Sequence, residues 1–160
     1  MLIEVSELLM IIINIVMWAI IHISVAYGAT ILPNKYINIK SWIYKERTWE
    51  NSGKIYENIF KIKSWKHKLP DGSAMFKNGF RKKKLNNTDS EYISQFILEL
   101  CRAELTHWIV ILFSPIFFIW NYEWVGYIMI LYAFLVNIPC ILAQRYNRIR
   151  FKKVFINQIN

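Results

Sequence analysis

The apolar residues of the chain gather into three long blocks, which are separated by polar segments. The first block, residues 8–27, is twenty residues long and carries no formal charge. At about 1.5 Å per residue, a helix of this length crosses a hydrocarbon core of about 30 Å. Glu4 and Glu7 precede the block, where a secretory signal would carry basic residues. We predict that this block is a retained membrane anchor.

The second and third blocks, residues 105–120 and 125–143, are joined by only four residues. The helix of the second block is predicted to begin near Glu91, because apolar residues recur at helical spacing ahead of the block. Pro115 and Pro139 lie inside the blocks, and each would free a backbone carbonyl that needs another donor. The short link predicts a helical hairpin with three aromatic residues at interfacial depth: Trp120, Tyr122 and Trp124.

Between the first two blocks, residues 34–104 are basic but also rich in aromatic and aliphatic side chains. Helical spacing predicts that five of the apolar residues share one face: Ile55, Tyr56, Ile59, Phe60 and Ile62. Basic residues opposite such a face are typical of a helix that lies in the headgroup plane of a membrane. From residue 71 to residue 89 the pattern lapses into glycines and asparagines, which predicts a loop.

The charges change this picture in one respect, the orientation of the chain. Lys and Arg number 20 against 11 Asp and Glu, a net charge of +9. Fifteen of the basic residues lie between Lys35 and Arg102, and the other five between Arg145 and Lys153. Because basic residues stay on the cytoplasmic side, we predict the N-terminus outside and the C-terminus in the cytoplasm. Nucleic-acid binding is disfavoured, since it does not need long uncharged runs.

These patterns predict an all-α fold, a single integral membrane domain over residues 1–160, in the cell membrane. About three transmembrane helices are expected, at residues 8–27, 105–120 and 125–143. A basic amphipathic interfacial segment and loop would occupy residues 34–104, and a basic tail residues 145–160.

Three polar clusters lie near the ends of the predicted helices, where an ionisable group needs a partner. The first contains His67 and Asp71 in an HxxxD pattern. A carboxylate beside an imidazole can fix its tautomer and stabilise the imidazolium that forms when the ring takes a proton. The alternative is a solvated interfacial histidine beside an aspartate in a turn.

The second cluster opens the second spanning helix and contains Arg102, Glu104 and His107. Glu104 and His107 are three residues apart, so both point to one side of a helix. The pair could act as an orienting carboxylate and a general base that deprotonates an acceptor hydroxyl or amine. The alternative is a buried hydrogen bond between Glu104 and His107 that serves only helix packing.

The third cluster lies at the end of the third block. Asn137, Gln144 and Arg148 are spaced by seven and four residues, so they share a face if the helix continues beyond Pro139. With Arg145 and Asn147 they would form a polar surface, and arginines bind phosphate or carboxylate bidentately. The alternative is that these arginines extend towards the cytoplasmic surface without a further role.

Other chemistry remains open at this point. A metal site would need four ligands to meet: His67, Asp71, Glu104 and His107. Cys101 next to Arg102 could form a thioester intermediate, although direct transfer is favoured. Asn14 and His22 lie within the first block and are predicted to make hydrogen bonds between helices. A metal site is disfavoured, because its four candidate ligands lack a more specific spacing.

Taken in this order, the three clusters resemble the glycosyl-4,4'-diaponeurosporenoate acyltransferase family, small membrane enzymes associated with the last step of staphyloxanthin-type carotenoid synthesis. The matching stretches are residues 65–68 with 71–72, 102–105 with 107–108, and 137–139 with 144–148. The resemblance covers nearly the whole chain, and its specificity comes from the three clusters together.

The resemblance implies transfer of a fatty acyl group to a sugar hydroxyl of a lipid-like acceptor, such as a glycosylated carotenoid. It implies no metal and no bound cofactor. The chain is also similar to the membrane component proposed for bacterial lipoprotein N-acylation, where the acceptor is the α-amino group of a lipid-anchored cysteine. The donor is left open between a membrane phospholipid and an acyl thioester of coenzyme A or acyl carrier protein.

The expected roles fall into two groups. The catalytic base is one of two pairs: His107 with Glu104, or His67 with Asp71. The groups that stabilise the oxyanion or bind the substrates are polar residues of the second and third clusters: Arg102, Asn137, Gln144, Arg145, Asn147 and Arg148.

Two other classes compete with an acyltransferase. A non-enzymatic adaptor subunit would dock against a membrane-protein partner through its aromatic residues. A small methyltransferase or reductase is disfavoured, because the chain has no nucleotide-binding glycine pattern.

Overall fold

The computed structural model describes residues 6–70, 72, 80, 87 and 89–159, with side chains up to residue 153. Over these residues the fold is entirely helical, without a strand, which confirms the all-α prediction. The α-helices are α1 (Glu7–Ile31), α2 (Lys54–Asn58), α3 (Ile62–Trp65), α4 (Ser90–Phe113) and α5 (Glu123–Ile159). Short 3₁₀ helices lie between them at Asn34–Tyr36, Trp42–Tyr44, Thr48–Gly53, Lys66–Lys68 and Ser114–Ile119.

The first and last helices, α1 and α5, correspond to two of the predicted spans. Among the described helices, two stretches are long and apolar enough to cross a membrane, Glu7–Ile31 and Glu123–Lys153. Buried residues make up only 22% and 28% of their most apolar windows. The outward apolar side chains, such as Ile15 and Leu135, are therefore exposed unless lipid covers them. This pattern indicates membrane association.

Residues 105–120, the predicted second span, do not form one α-helix. They are divided between the end of α4 and the 3₁₀ helix that follows it. Pro115 explains the change, because it cannot donate to the Ile111 carbonyl four residues earlier. The Ser114 hydroxyl and the Ser114 backbone N–H both donate to that carbonyl, the former at 2.7 Å. The freed carbonyl is thus satisfied as the sequence requires.

The link between α4 and α5 is a tight hairpin, as predicted, and its first aromatic residue is buried within the protein. Trp120 is buried, whereas Tyr122 and Trp124 are exposed. The reason is a hydrogen-bond cluster with α1, in which Asn14 Oδ1 accepts from Trp120 Nε1 and Asn121 Nδ2, both at 2.8 Å. The hydrogen bonds predicted for Asn14 are present, although their partners lie in the link rather than in a second helix, and His22 makes a ring contact with Trp18 within α1.

The middle segment does not contain the predicted continuous amphipathic helix. Lys61 has a φ of 46°, and this left-handed residue separates α2 from α3. Tyr56 and Ile62 are fully buried against α5, whereas Ile59 and Phe60 are exposed. The expected common face is therefore divided, and the segment packs as short helices against the end of the helical bundle.

Candidate active site

The second and third polar clusters meet between α4 and α5. Glu104 is fully buried, and its Oε1 accepts from Arg145 Nη1 at 3.1 Å while its Oε2 accepts from Arg148 Nη1. The α5 helix continues beyond Pro139, so Asn137 and Arg148 both face α4, as their spacing predicted. We call this end of the molecule the basic end and the α4–α5 hairpin the link end.

A fourth ionic residue of this site, Glu50, was missed from the sequence. It lies in the 3₁₀ helix Thr48–Gly53, is fully buried, and accepts from Arg145 Nε at 3.0 Å and from the Tyr56 hydroxyl. Burial alone would raise the pKa of Glu50, but the hydrogen bonds from Arg145, Tyr56 and the Arg47 backbone outweigh it, so the pKa is lowered. Glu50 is therefore held as a carboxylate.

We call four residues the buried ion cluster, because each forms an ion pair with another member: Glu50, Glu104, Arg145 and Arg148. Arg145 uses all five of its N–H groups within the protein, donating also to the carbonyls of Ile43 at 3.1 Å and Lys45 at 3.2 Å. Its side chain is 12% exposed, and that of Arg148 is 2% exposed. Both were expected to bind substrate, and in the structure both make contacts within the protein that fasten the middle segment and α5 onto α4.

Arg102 also has protein partners. Its Nε donates to both carboxylate oxygens of Glu99, and its Nη1 donates to the carbonyls of Ala29 at 2.6 Å and Leu32 at 2.5 Å. These carbonyls lie at the C-terminal end of α1, where a cation is favourable to the helix dipole. Arg102 therefore caps the C-terminal end of α1 and, because it belongs to α4, joins the two helices.

His107 lies one helical turn after Glu104 and is partly buried. Its Nδ1 is 2.8 Å from Asn137 Oδ1, and Asn137 Nδ2 donates to the Ala133 carbonyl at 2.8 Å. Because that carbonyl can only accept, the amide oxygen must face the ring, and Nδ1 must carry the proton in the neutral imidazole. The lone pair is then on Nε2. Asn137, rather than the expected Glu104, is the group that holds Nδ1.

The first polar cluster reaches the same end of the molecule through a lysine. Lys66 Nζ donates to Asn147 Oδ1 at 2.6 Å and lies 4.8 Å from the centre of the Tyr146 ring. Asn147, which was expected to contact substrate, is thus hydrogen-bonded to Lys66. His67 is exposed in the 3₁₀ helix Lys66–Lys68, and the expected partner, Asp71, lies outside the described residues.

Two buried polar side-chain atoms, one on α4 and one on α5, have no hydrogen-bond partner among the described residues. They are Trp108 Nε1 and Gln144 Oε1. Trp108 follows His107 in α4, and Gln144 lies two turns after Asn137 on α5. A buried polar atom without a partner is costly unless a ligand or water satisfies it. Gln144, which was expected to bind substrate, therefore keeps a side-chain oxygen without a hydrogen-bond partner among the described residues.

Cys101 does not have the environment of a nucleophile. It is fully buried, and burial raises the pKa of its thiol to about 11. The neighbouring Arg102 guanidinium, which was expected to favour the thiolate, is engaged with Glu99 and α1. A metal would need His67 and Glu104 together, yet His67 is exposed and both oxygens of Glu104 accept from arginines.

Comparison with known proteins gives a family. The model of the family described as glycosyl-4,4'-diaponeurosporenoate acyltransferase matches residues 40–156. A relative of that name from Staphylococcus aureus strain bovine RF122 / ET3-1 is 38% identical over 137 residues, 86% of this chain and 82% of the relative. The relative from strain N315 is 37% identical over the same shares. The chain belongs to this family.

The glycosyl-4,4'-diaponeurosporenoate acyltransferase match begins inside the middle segment and ends near the close of α5, so it contains every candidate site residue of this subsection. As a member of the family the chain is an acyltransferase, which confirms the resemblance read from the three clusters. No solved structure matches the chain.

Proposed function

We propose that the chain transfers a fatty acyl group from a lipid or thioester donor to a sugar hydroxyl of a glycosylated carotenoid-type lipid, with His107 as the general base. The hydrogen bond between His107 Nδ1 and Asn137 carries the mechanistic part of this proposal, because it sets the tautomer that a base requires. The acceptor class is taken from the printed names of the relatives.

The proposed reaction needs one base that later becomes an acid. His107 Nε2 takes the proton of the acceptor hydroxyl while the hydroxyl oxygen attacks the acyl carbonyl carbon. The tetrahedral intermediate then collapses, the bond to the donor's thiolate or alkoxide breaks, and the imidazolium returns the proton to that leaving group. Gln144 Oε1 would accept a hydrogen bond from a neighbouring sugar hydroxyl.

The membrane arrangement that we propose has α1, the second half of α4 with its 3₁₀ extension, and α5 crossing the bilayer. The basic residues of the middle segment and of α5 then lie in the cytoplasm, and the N-terminus lies outside. Apolar substrates would reach His107 through the membrane plane, and a thioester carrier would approach the basic end.

The decisive test is a comparison of His107→Ala with His67→Ala. Both are expressed in bacteria that make the glycosylated carotenoid but lack its acyltransferase, and acylated product is measured by mass spectrometry of lipid extracts. Loss of a general base lowers the rate by roughly 10²–10⁴-fold. We expect this loss in His107→Ala alone, with both variants present in the membrane at wild-type levels.

Measurements in the same cells distinguish the proposed function from the alternative functions. Full product with His107→Ala contradicts the role of His107, and loss with His67→Ala moves that role to His67. A new N-acyl group on lipoprotein peptides, without any acylated glycolipid, would favour lipoprotein N-acylation. Activity of reconstituted chain only after addition of a second membrane protein would favour an adaptor.

A further inference from the structure

A groove runs along the link end of the molecule between α1 and the start of α5. Its volume is about 860 Å³. The α1 side of the lining consists of residues three or four apart, and the α5 side of residues that face them, mostly apolar: Ile11, Ile15, Trp18, Val125, Ile128 and Met129. Both walls belong to the stretches that are apolar enough to span a membrane.

The length of the groove indicates what kind of ligand it can bind. Its lining on α1 extends from Glu7 to His22, fifteen residues or about 22 Å of helix. The lining along this length is mostly apolar and lies in stretches that are apolar enough to span a membrane. A single extended hydrocarbon chain fits such a long apolar groove.

The length also matches a common fatty acyl chain. An extended chain of tetrahedral atoms advances roughly 3.5 Å per three bonds, so about 22 Å accommodates about 18 carbons. A sugar would need many hydrogen-bond partners here, but the amide of Asn14, which lies midway along the groove, is already bonded to Trp120 and Asn121. The groove therefore favours the acyl chain over the glycosylated end of the acceptor.

The groove runs towards the proposed base. Tyr132 and His22 line its end nearest the basic end of the molecule. Asn137, which holds His107, follows Tyr132 by five residues of α5, or about 7.5 Å. A chain lying in the groove with its carbonyl at this end would place the reacting carbon about 7.5 Å along α5 from the level of Asn137, the residue bonded to His107.

We propose that this groove binds the fatty acyl chain of the donor, with its carbonyl towards His22 and its methyl end towards Glu7, and so sets the length of the acyl group transferred. The proposal rests on the acyl transfer proposed above. Residues nearer the carbonyl end should then restrict the chain more severely than residues nearer the methyl end.

Two pairs of adjacent residues test this. Ile11 and Ile15 line the groove, whereas Ile12 and Val16 are exposed on α1 outside the lining. Each is changed to Trp in cells that make the glycosylated carotenoid and are fed equal amounts of fatty acids of different lengths. From the distances to His22 of about 16 and 10 Å, we expect chains of about 13 carbons with Ile11→Trp and about 8 with Ile15→Trp.

Ile12→Trp and Val16→Trp should keep the wild-type distribution, which controls for a larger side chain on α1. Unchanged lengths with both groove variants overturn the inference, provided that acylated product forms. So does a fall in total product without a change in length, because that result places the acceptor in the groove. Absence of acylated product in the wild type instead contradicts the proposed acyl transfer itself.

Discussion

The basic end and the link end of the molecule differ in the partners of their buried polar side chains. At the basic end, the buried ion cluster places two carboxylates against two guanidinium groups, each at most 12% exposed. At the link end, the Asn14 cluster is uncharged and lies beside an open apolar groove. His107 lies between these regions. The contrast suggests that the ion cluster supports the fold, while His107 and the groove serve the reaction.

The largest expected effect is on stability, from Glu104→Ala. It leaves Arg145 without one partner and Arg148 without its carboxylate, and breaking a buried ion pair in this way costs about 3–5 kcal/mol. The free energy of unfolding is measured with denaturant in detergent micelles. Glu91→Ala, an exposed carboxylate on the same helix, is the control and should leave stability close to wild type.

If Glu104→Ala instead unfolds like the wild type and loses only acyl transfer, the division between the two regions is wrong. Glu104 would then act on the reaction, as the sequence pattern had suggested, and the ion cluster would be part of the catalytic site.

Acid should weaken the basic end before the link end, because of Glu50. Its pKa in the folded chain is below the ordinary value of 4.5, so its contribution to stability is complete above about pH 4.5 and is lost as pH falls through the folded pKa. The expected measurement is a declining unfolding free energy on the acid side. Glu50→Gln, which cannot titrate, should flatten that decline; an equally steep decline in the variant would assign it to other groups.

The smallest effect is expected from Cys101→Ala. Since the thiol is buried and its pKa is raised to about 11, it is not the acyl carrier, and acyl transfer should stay within about twofold of wild type. Product formation per folded protein is the measurement. A large loss, together with a mass increase on Cys101 after exposure to donor, would replace direct transfer by an acyl-enzyme.

The sequence predicted the all-α fold, the two long apolar helices, and the common face of Asn137 and Arg148, since hydrophobic length and helical spacing are local properties. It did not predict Glu50, because that residue lies in a 3₁₀ helix without apolar periodicity and acquires its role only through Arg145, 95 residues away. Likewise, spacing placed Glu104 and His107 on one side of α4 but could not reveal that arginines take the carboxylate and Asn137 takes the ring.

The α5 helix is 37 residues long and unbroken, which is about 55 Å, against a hydrocarbon core of about 30 Å. One rod thus includes both the apolar groove wall near Ile128 and the turns that bear Arg145 and Arg148. Spanning the bilayer as proposed, such a rod would tilt in a thinner bilayer to keep its apolar stretch covered. A change in lipid composition would therefore change the tilt of α5, and α5 would transmit that change to the contacts around Glu50 and Glu104.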